Sequence, residues 1–154
     1  MAASEPLLSA PERERNGART REAVLDAAEA LFAARGYEAA SLGEIGAAAG
    51  VSRGTPGYFF GSKLDLYRAV LERCLEQVRA AVRSGRERVR TRAHEPADVV
   101  VGVVGDYFEY ITANPNFVRL MEWEALGGGR HLREVPPHVA AAQEAVTALA
   151  EELD

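Results

Sequence analysis

The side chains best equipped for chemistry crowd into one short segment, S-L-G-E-I-G-A-A-A-G-V-S-R-G-T-P-G-Y-F-F-G-S-K, running from Ser41 to Lys63. Its far end gathers the hydroxyls of Ser52 and Thr55, the Arg53 guanidinium, the Tyr58 phenol and the Lys63 ammonium. Such a set is rich in hydrogen-bond donors, the mix that grips phosphate oxygens and the acceptor edge of guanine. Bond-making chemistry has no comparable set. His94, His131 and His138 lack the i, i+4 pairing or CxxC company of a zinc site and are read as solvated. No G-x-S-x-G elbow occurs, and the carboxylates are spread over polar faces. Gly127-Gly128-Gly129 lacks the spacing and the following Lys-Ser/Thr of a phosphate loop. No catalytic residue, metal ligand or cofactor is expected, and an enzyme has no residue set behind it.

Local sequence explains how those groups would be positioned. Ser41 with Glu44 makes a capping box, so a helix starts at Leu42. Gly46, Ala47, Ala48 and Ala49 permit close approach of a neighbouring helix, and Gly50 supplies a turn that tolerates positive φ. Val51 is the apolar plug behind the turn, and Ser52 is a candidate N-cap for the second helix. Helix, glycine turn and capped helix is a helix-turn-helix, whose second helix enters a DNA major groove. Pro56 complicates this second helix. With Ser52 as cap it would fall at the fourth helical position, and with Thr55 as cap at the first, where proline is comfortable. The expected compromise is a tight turn over Arg53 to Thr55, then a short helix ending near Phe60. Ser62, with Asp65 three residues on, caps the next helix. Lys63 then sits in a first turn, against the helix dipole, a place where an anion such as phosphate would offset its charge.

With T-R-E-A-V-L-D-A-A-E-A-L-F-A-A-R-G-Y upstream and L-D-L-Y-R-A-V-L downstream, the segment resembles the N-terminal domain of the TetR/AcrR family. The likeness is dense over about residues 19–71 and beyond that is one of helix layout. It implies an all-α fold: an N-terminal three-helix helix-turn-helix domain, then a helical ligand-binding and dimerisation bundle, here shortened at the C-terminus. It also implies a dimeric, ligand-responsive transcriptional regulator. The residues implied to meet DNA are Ser41, Ser52, Arg53, Gly54, Thr55, Tyr58 and Lys63, with Arg53 on base edges and Ser41, Thr55, Tyr58 and Lys63 on phosphates. Where relatives carry an aliphatic residue and tyrosine after Gly-Thr, this chain has Pro56 and Gly57, and Tyr58 takes over the phosphate role. Family members usually continue for two more helices. This chain ends at Asp154, where those helices would begin: either it is a shortened product, or the last helix and the faces near it take over dimerisation.

Composition fits a soluble globular chain: 154 residues, 47% hydrophobic and 27% charged. Neither a membrane-length apolar run nor a signal-peptide pattern is present, and the lone Cys74 suits a reducing cytoplasm. The net charge of −5 places any grip on DNA on a local basic face rather than on bulk charge. Of the 18 basic residues all but Lys63 are arginine, the better bidentate donor. The chain divides into a disordered arm (1–18), a helix-turn-helix domain (19–66) and an effector-binding and dimerisation domain (67–154). Arg19 or Arg21 is allowed a backbone contact.

Hydrophobic spacing predicts a first helix over about 20–35, ended by Gly36, with Tyr37 folded back on the core. A long connecting helix runs from Ser62 to near Gly85, with Cys74 in its buried stripe. Arg83 to His94 is a solvated helix end or loop. A helix over about 96–114 carries a stripe broad enough to be central, and further helices cover about 116–126 and 136–153. Tyr107, Phe108, Phe117, Met121 and Trp123, with Tyr110, are the candidate lining of a pocket for a small apolar effector. The reading is a DNA-binding regulator, a repressor released by that effector and working as a homodimer on a double-stranded operator. The alternative is a small-molecule-binding or interaction module of the same fold that has lost operator binding.

Overall fold

The computed structural model describes residues 10–90 and 96–135, and all its regular elements are helical. In chain order these are α1 (Ala10–Ala39), α2 (Leu42–Ala48), α3 (Thr55–Phe60), α4 (Lys63–Arg90), α5 (Pro96–Ala113) and α6 (Pro115–Leu126), then a 3-10 turn at Leu132–Glu134. The all-α expectation holds. The last expected helix, 136–153, lies outside the described residues.

One core joins the first and last parts of this set. Val24, Leu25, Ala28 and Phe32 of α1 meet Ile45 of α2, Leu66, Tyr67, Val70 and Leu71 of α4, and Leu120 of α6, all almost wholly buried. Removing a side chain of this size from water contributes about 2 kcal/mol. Phe32 and Tyr67 meet edge to face at 4.8 Å between centroids. Cys74 is a buried member of the same stripe, as its spacing predicts.

Three expectations are corrected. α1 begins at Ala10, so residues 10–18, expected in a disordered arm, are helical. Pro11 near the helix start and the run Glu12-Arg13-Glu14-Arg15 are compatible with a helix N-terminus. α4 runs past Gly85 to Arg90, because the glycine serves contact rather than termination: a methyl there would strike the Asp106 carboxylate of α5. α5 is not central among the described residues. Val101 and Phe108 are 72% and 62% exposed, and Tyr110 and Ile111 carry its packing against the core.

Gly36 interrupts α1 with φ 77° and ψ 172°, a conformation essentially reserved for glycine. The break lets Tyr37 turn back on Phe32 and Tyr67, as expected, and opens a place for Trp123. That indole lies 3.1 Å from where a Gly36 Cβ would stand, and its Nε1 donates to Ala33 O at 3.1 Å.

α6 also carries Glu124, only 3% exposed. Its carboxylate accepts from the Tyr67 hydroxyl at 2.9 Å, from the backbone N–H groups of His131 and Leu132 at 3.2 and 3.0 Å, and faces His131 Nδ1 at 2.9 Å. His131 is therefore not the solvated histidine expected; its ring packs on Tyr37 and Tyr67. Burial alone would raise the Glu124 pKa, yet the bonds from His131, Leu132 and Tyr67 outweigh it and hold the pKa below the usual 4.5. Its stabilising contribution is thus complete above about pH 4.5 and drains away as pH falls through the lowered value. Glu124→Gln should cost about 2 kcal/mol at pH 7 and flatten the acid limb of the stability curve. Urea midpoints of both chains between pH 7 and 3 test this; parallel acid limbs would refute it.

Candidate nucleic-acid interface

α2, the turn after it and α3 build the donor-rich surface. Ser41 caps α2 with a complete capping box: the Glu44 N–H donates to Ser41 Oγ at 3.3 Å, and the Ser41 N–H donates back to Glu44 Oε2 at 3.1 Å. The Ser41 hydroxyl also donates to Glu44 Oε2 at 2.8 Å, so its hydroxyl already has a donating role within the chain. These bonds, with help from Arg35 at 2.9 Å, hold the Glu44 pKa below the ordinary carboxylate value.

The turn follows the expected glycine logic at Gly50, which has φ 70°. A second glycine matters for another reason. A Cβ on Gly46 would lie 2.9 Å from the carbonyl oxygen of Ser52, so the turn can fold over α2 only because that side chain is missing. On Gly43, by contrast, a Cβ would meet the Arg53 guanidinium, the far end of a flexible side chain.

Pro56 is resolved by moving the helix start. α3 begins at Thr55 with Gly54 as its cap, so Pro56 lies in the first turn, where its missing N–H costs nothing. Ser52, expected as N-cap, does not cap it. Its carbonyl instead accepts the Thr55 N–H at 3.1 Å, closing the tight turn, and its hydroxyl pairs with Thr55 Oγ1 at 2.7 Å. Pro56 is buried and anchors α3 inward. Tyr58 projects the other way, 84% exposed, with Phe59 edge-on beside it at 5.1 Å. Arg53, Ser52 and Gly54 are exposed, and Thr55 is half-buried. These five residues share one short surface; Ser41 lies at the start of α2.

Lys63 departs most from expectation. Its ammonium donates to Ala40 O at 3.0 Å and Glu38 O at 3.3 Å and lies 4.4 Å from the centre of the Tyr37 ring. The offset that the dipole demanded is supplied by protein carbonyls and a ring face, and an external anion is not required for it. Ser62 does cap α4, taking the Asp65 N–H at 3.1 Å and donating to its carboxylate at 2.6 Å. Arg21 of α1 reaches over the Phe60 ring at 4.7 Å, which brings a second guanidinium to the end of α3.

The five candidate effector residues differ in their settings. Phe117 is buried and Met121 packs on the core, Trp123 lies against Gly36, and Tyr107 and Phe108 sit partly or largely exposed on α5. No group of His, Cys, Asp and Glu among the described residues could hold a metal ion, and no described helix is long and apolar enough to cross a membrane. Sequence reasoning missed Glu124 and His131, although Glu124 stands four residues after Leu120 on the apolar side of α6, a position where a carboxylate needs partners.

The geometry defines a helix-turn-helix unit seated on a helical body. Residues 24–70 match the model of the bacterial regulatory proteins of the tetR family. Over 137 residues the chain is 28% identical to the HTH-type transcriptional repressor NicS of Pseudomonas putida, covering 89% of this chain and 63% of that one. It is 42% identical over 73 residues to the HTH-type transcriptional activator FasR of Mycolicibacterium smegmatis, covering 47% of this chain and 31% of that one. Among solved structures, the fatty acid degradation regulator FadR from Bacillus halodurans superposes with a TM-score of 0.70 at 21% identity, over 86% of this chain and 67% of that one. Residues 24–70 therefore form a tetR-family domain. The chain spans less than two thirds of the length of either curated relative.

Gly46→Ala should destabilise the fold by about 1–3 kcal/mol, because backbone must move to admit the methyl. Gly43→Ala should change stability by less than about 0.5 kcal/mol. Thermal unfolding of the two variants, side by side, decides whether the turn is packed as described; equal losses would contradict it.

Proposed function

We propose that the chain is a sequence-reading transcriptional regulator that sets α3 into the major groove of duplex DNA. The observation that carries this is the division of labour in α3. Pro56 holds it from the inside, while Tyr58 at 84% exposure and the exposed Arg53 have no packing role in the core. Arg53 reaches base edges, with guanine its best bidentate target. Thr55, Ser52 and the Gly54 backbone fix register on one strand's phosphates, Tyr58 adds a phenolic donor, and Ser41 and Lys63 flank them. Relatives that are transcriptional regulators support this reading, and they include both a repressor and an activator. We take the repressor sense, released by a small apolar effector. α6 supplies a route for release, since Trp123 touches α1 and Glu124 holds Tyr67 of α4. A homodimer would set two reading surfaces about 34–36 Å apart on successive grooves.

The test begins with selection of a tight duplex from a random-sequence pool by the full chain, followed by titrations over a range of salt. Arg53→Ala should cost about 1–3 kcal/mol on the selected duplex and relax one base position. Tyr58→Ala should weaken all sequences alike. Lys63→Gln should reduce the salt slope by about 0.9; an unchanged slope would leave Lys63 as a fastening between α4 and the end of α1. Failure to enrich any duplex, with the chain monomeric on a sizing column, would favour the alternative of a module that has lost operator binding.

A further inference from the structure

A half-open cavity of about 140 Å³ lies where α1, α4 and the junction of α5 and α6 meet, apart from the α3 surface. It is lined by Glu29 of α1, Cys74 and Gln77 of α4, Tyr110 of α5, and Asn116 and Phe117 of α6. A cavity of roughly 150 Å³ holds a benzene ring, so this one has room for a compact molecule. Its chemistry is one-sided. No lining residue is basic, and Glu29 is the one formally charged group among them. Behind Glu29, Arg73 is shared: it donates to Glu29 Oε2 and Asp26 Oδ1 at 2.6 Å each and lies 3.6 Å from Glu22. With Arg21 3.4 Å from Glu22, two guanidiniums stand against three carboxylates, which leaves the surroundings net negative.

Several polar contacts across the space are long. Glu29 Oε1 has the Asn116 amide at 3.4 Å, and the Tyr110 hydroxyl stands 3.4 Å from Gln77 Oε1 and 3.5 Å from the Cys74 carbonyl. Good hydrogen bonds are several tenths of an ångström shorter. Burial, and then the charges nearby, push both the Cys74 thiol and the Tyr110 phenol up to about 12, so neither contributes an anion of its own. Tyr110 and Phe117 meet edge to face at 5.7 Å, giving the cavity an aromatic side.

We propose that this cavity binds a small organic cation, a primary ammonium on a compact apolar or aromatic body. Three N–H donors suit the oxygens of Glu29, Gln77 and Cys74, while the body lies along Tyr110 and Phe117. An anion would meet no cation among the lining residues, and a neutral alcohol brings a single donor. The site is independent of the α3 surface, so it stands or falls separately from the DNA-binding reading.

The test is calorimetric titration of the full chain with benzylammonium, its neutral isostere benzyl alcohol, and benzoate. Saturable benzylammonium binding is expected, at least tenfold tighter than either of the others. Glu29→Gln should reduce it to the level of the alcohol. Ala113→Phe, which narrows the space from an exposed lining position without touching the Glu29–Arg73 pair, should weaken it comparably and covers the case in which Glu29→Gln does not fold. No saturable binding, equal affinity for the ammonium and the alcohol, or binding untouched by Ala113→Phe would overturn the proposal.

Discussion

The first two turns of α4 bury Leu66, Tyr67, Val70 and Leu71 against Val24, Leu25, Ala28 and Phe32 of α1, and that contact fixes where everything else can point. α2 adds Ile45 to the same core, and α3 comes after it through a turn closed by the Ser52 carbonyl and anchored by Pro56. A six-residue helix such as α3 has almost no stability of its own. Its orientation is borrowed from the α1–α4 contact through α2. The exposed face of α3 is therefore a property of the core beneath it as much as of its own residues.

The same contact also ties the helix-turn-helix to α6. Tyr67 faces the core with its ring and Glu124 with its hydroxyl, so the helix that supports α3 is also tied to α6. Trp123, one residue earlier, closes on the break at Gly36 and bonds Ala33. Adjacent residues of α6 thus grip both helices on which the helix-turn-helix rests. Motion of α6 relative to α4 would have to break the bond between the Tyr67 hydroxyl and the buried Glu124 carboxylate, a costly event.

Much of this is legible in the residues because the signals are local. The Ser41–Glu44 and Ser62–Asp65 boxes, the glycine turn at Gly50, the break at Gly36 and the buried Cys74 each depend on neighbours a few positions away. The features that escape a reading of the residues depend on partners distant in sequence. Set against its own helix dipole alone, Lys63 calls for an external anion, whereas its charge is taken up by carbonyls at Glu38 and Ala40. His131 reads as a loop histidine until the chain after α6 packs its ring on Tyr67 and Tyr37, beside Glu124. The breadth of its apolar stripe makes α5 look central, but a stripe shows only that a face avoids water, not what covers it. Proline at 56 illustrates the reverse: an apparent helix breaker becomes an N-terminal anchor once the helix begins at Thr55.

The central claim is that the surface from Ser52 to Tyr58 is displayed by the core rather than absorbed into it, and that it is the part of the chain that meets a duplex. Amide hydrogen exchange on the full chain, free and mixed with a duplex selected by that chain, measures this directly. Slowed exchange confined to the segment 41–63, with α5 unchanged, is the result expected. Slowing centred on α5 or α6, or none under saturating duplex, would contradict it.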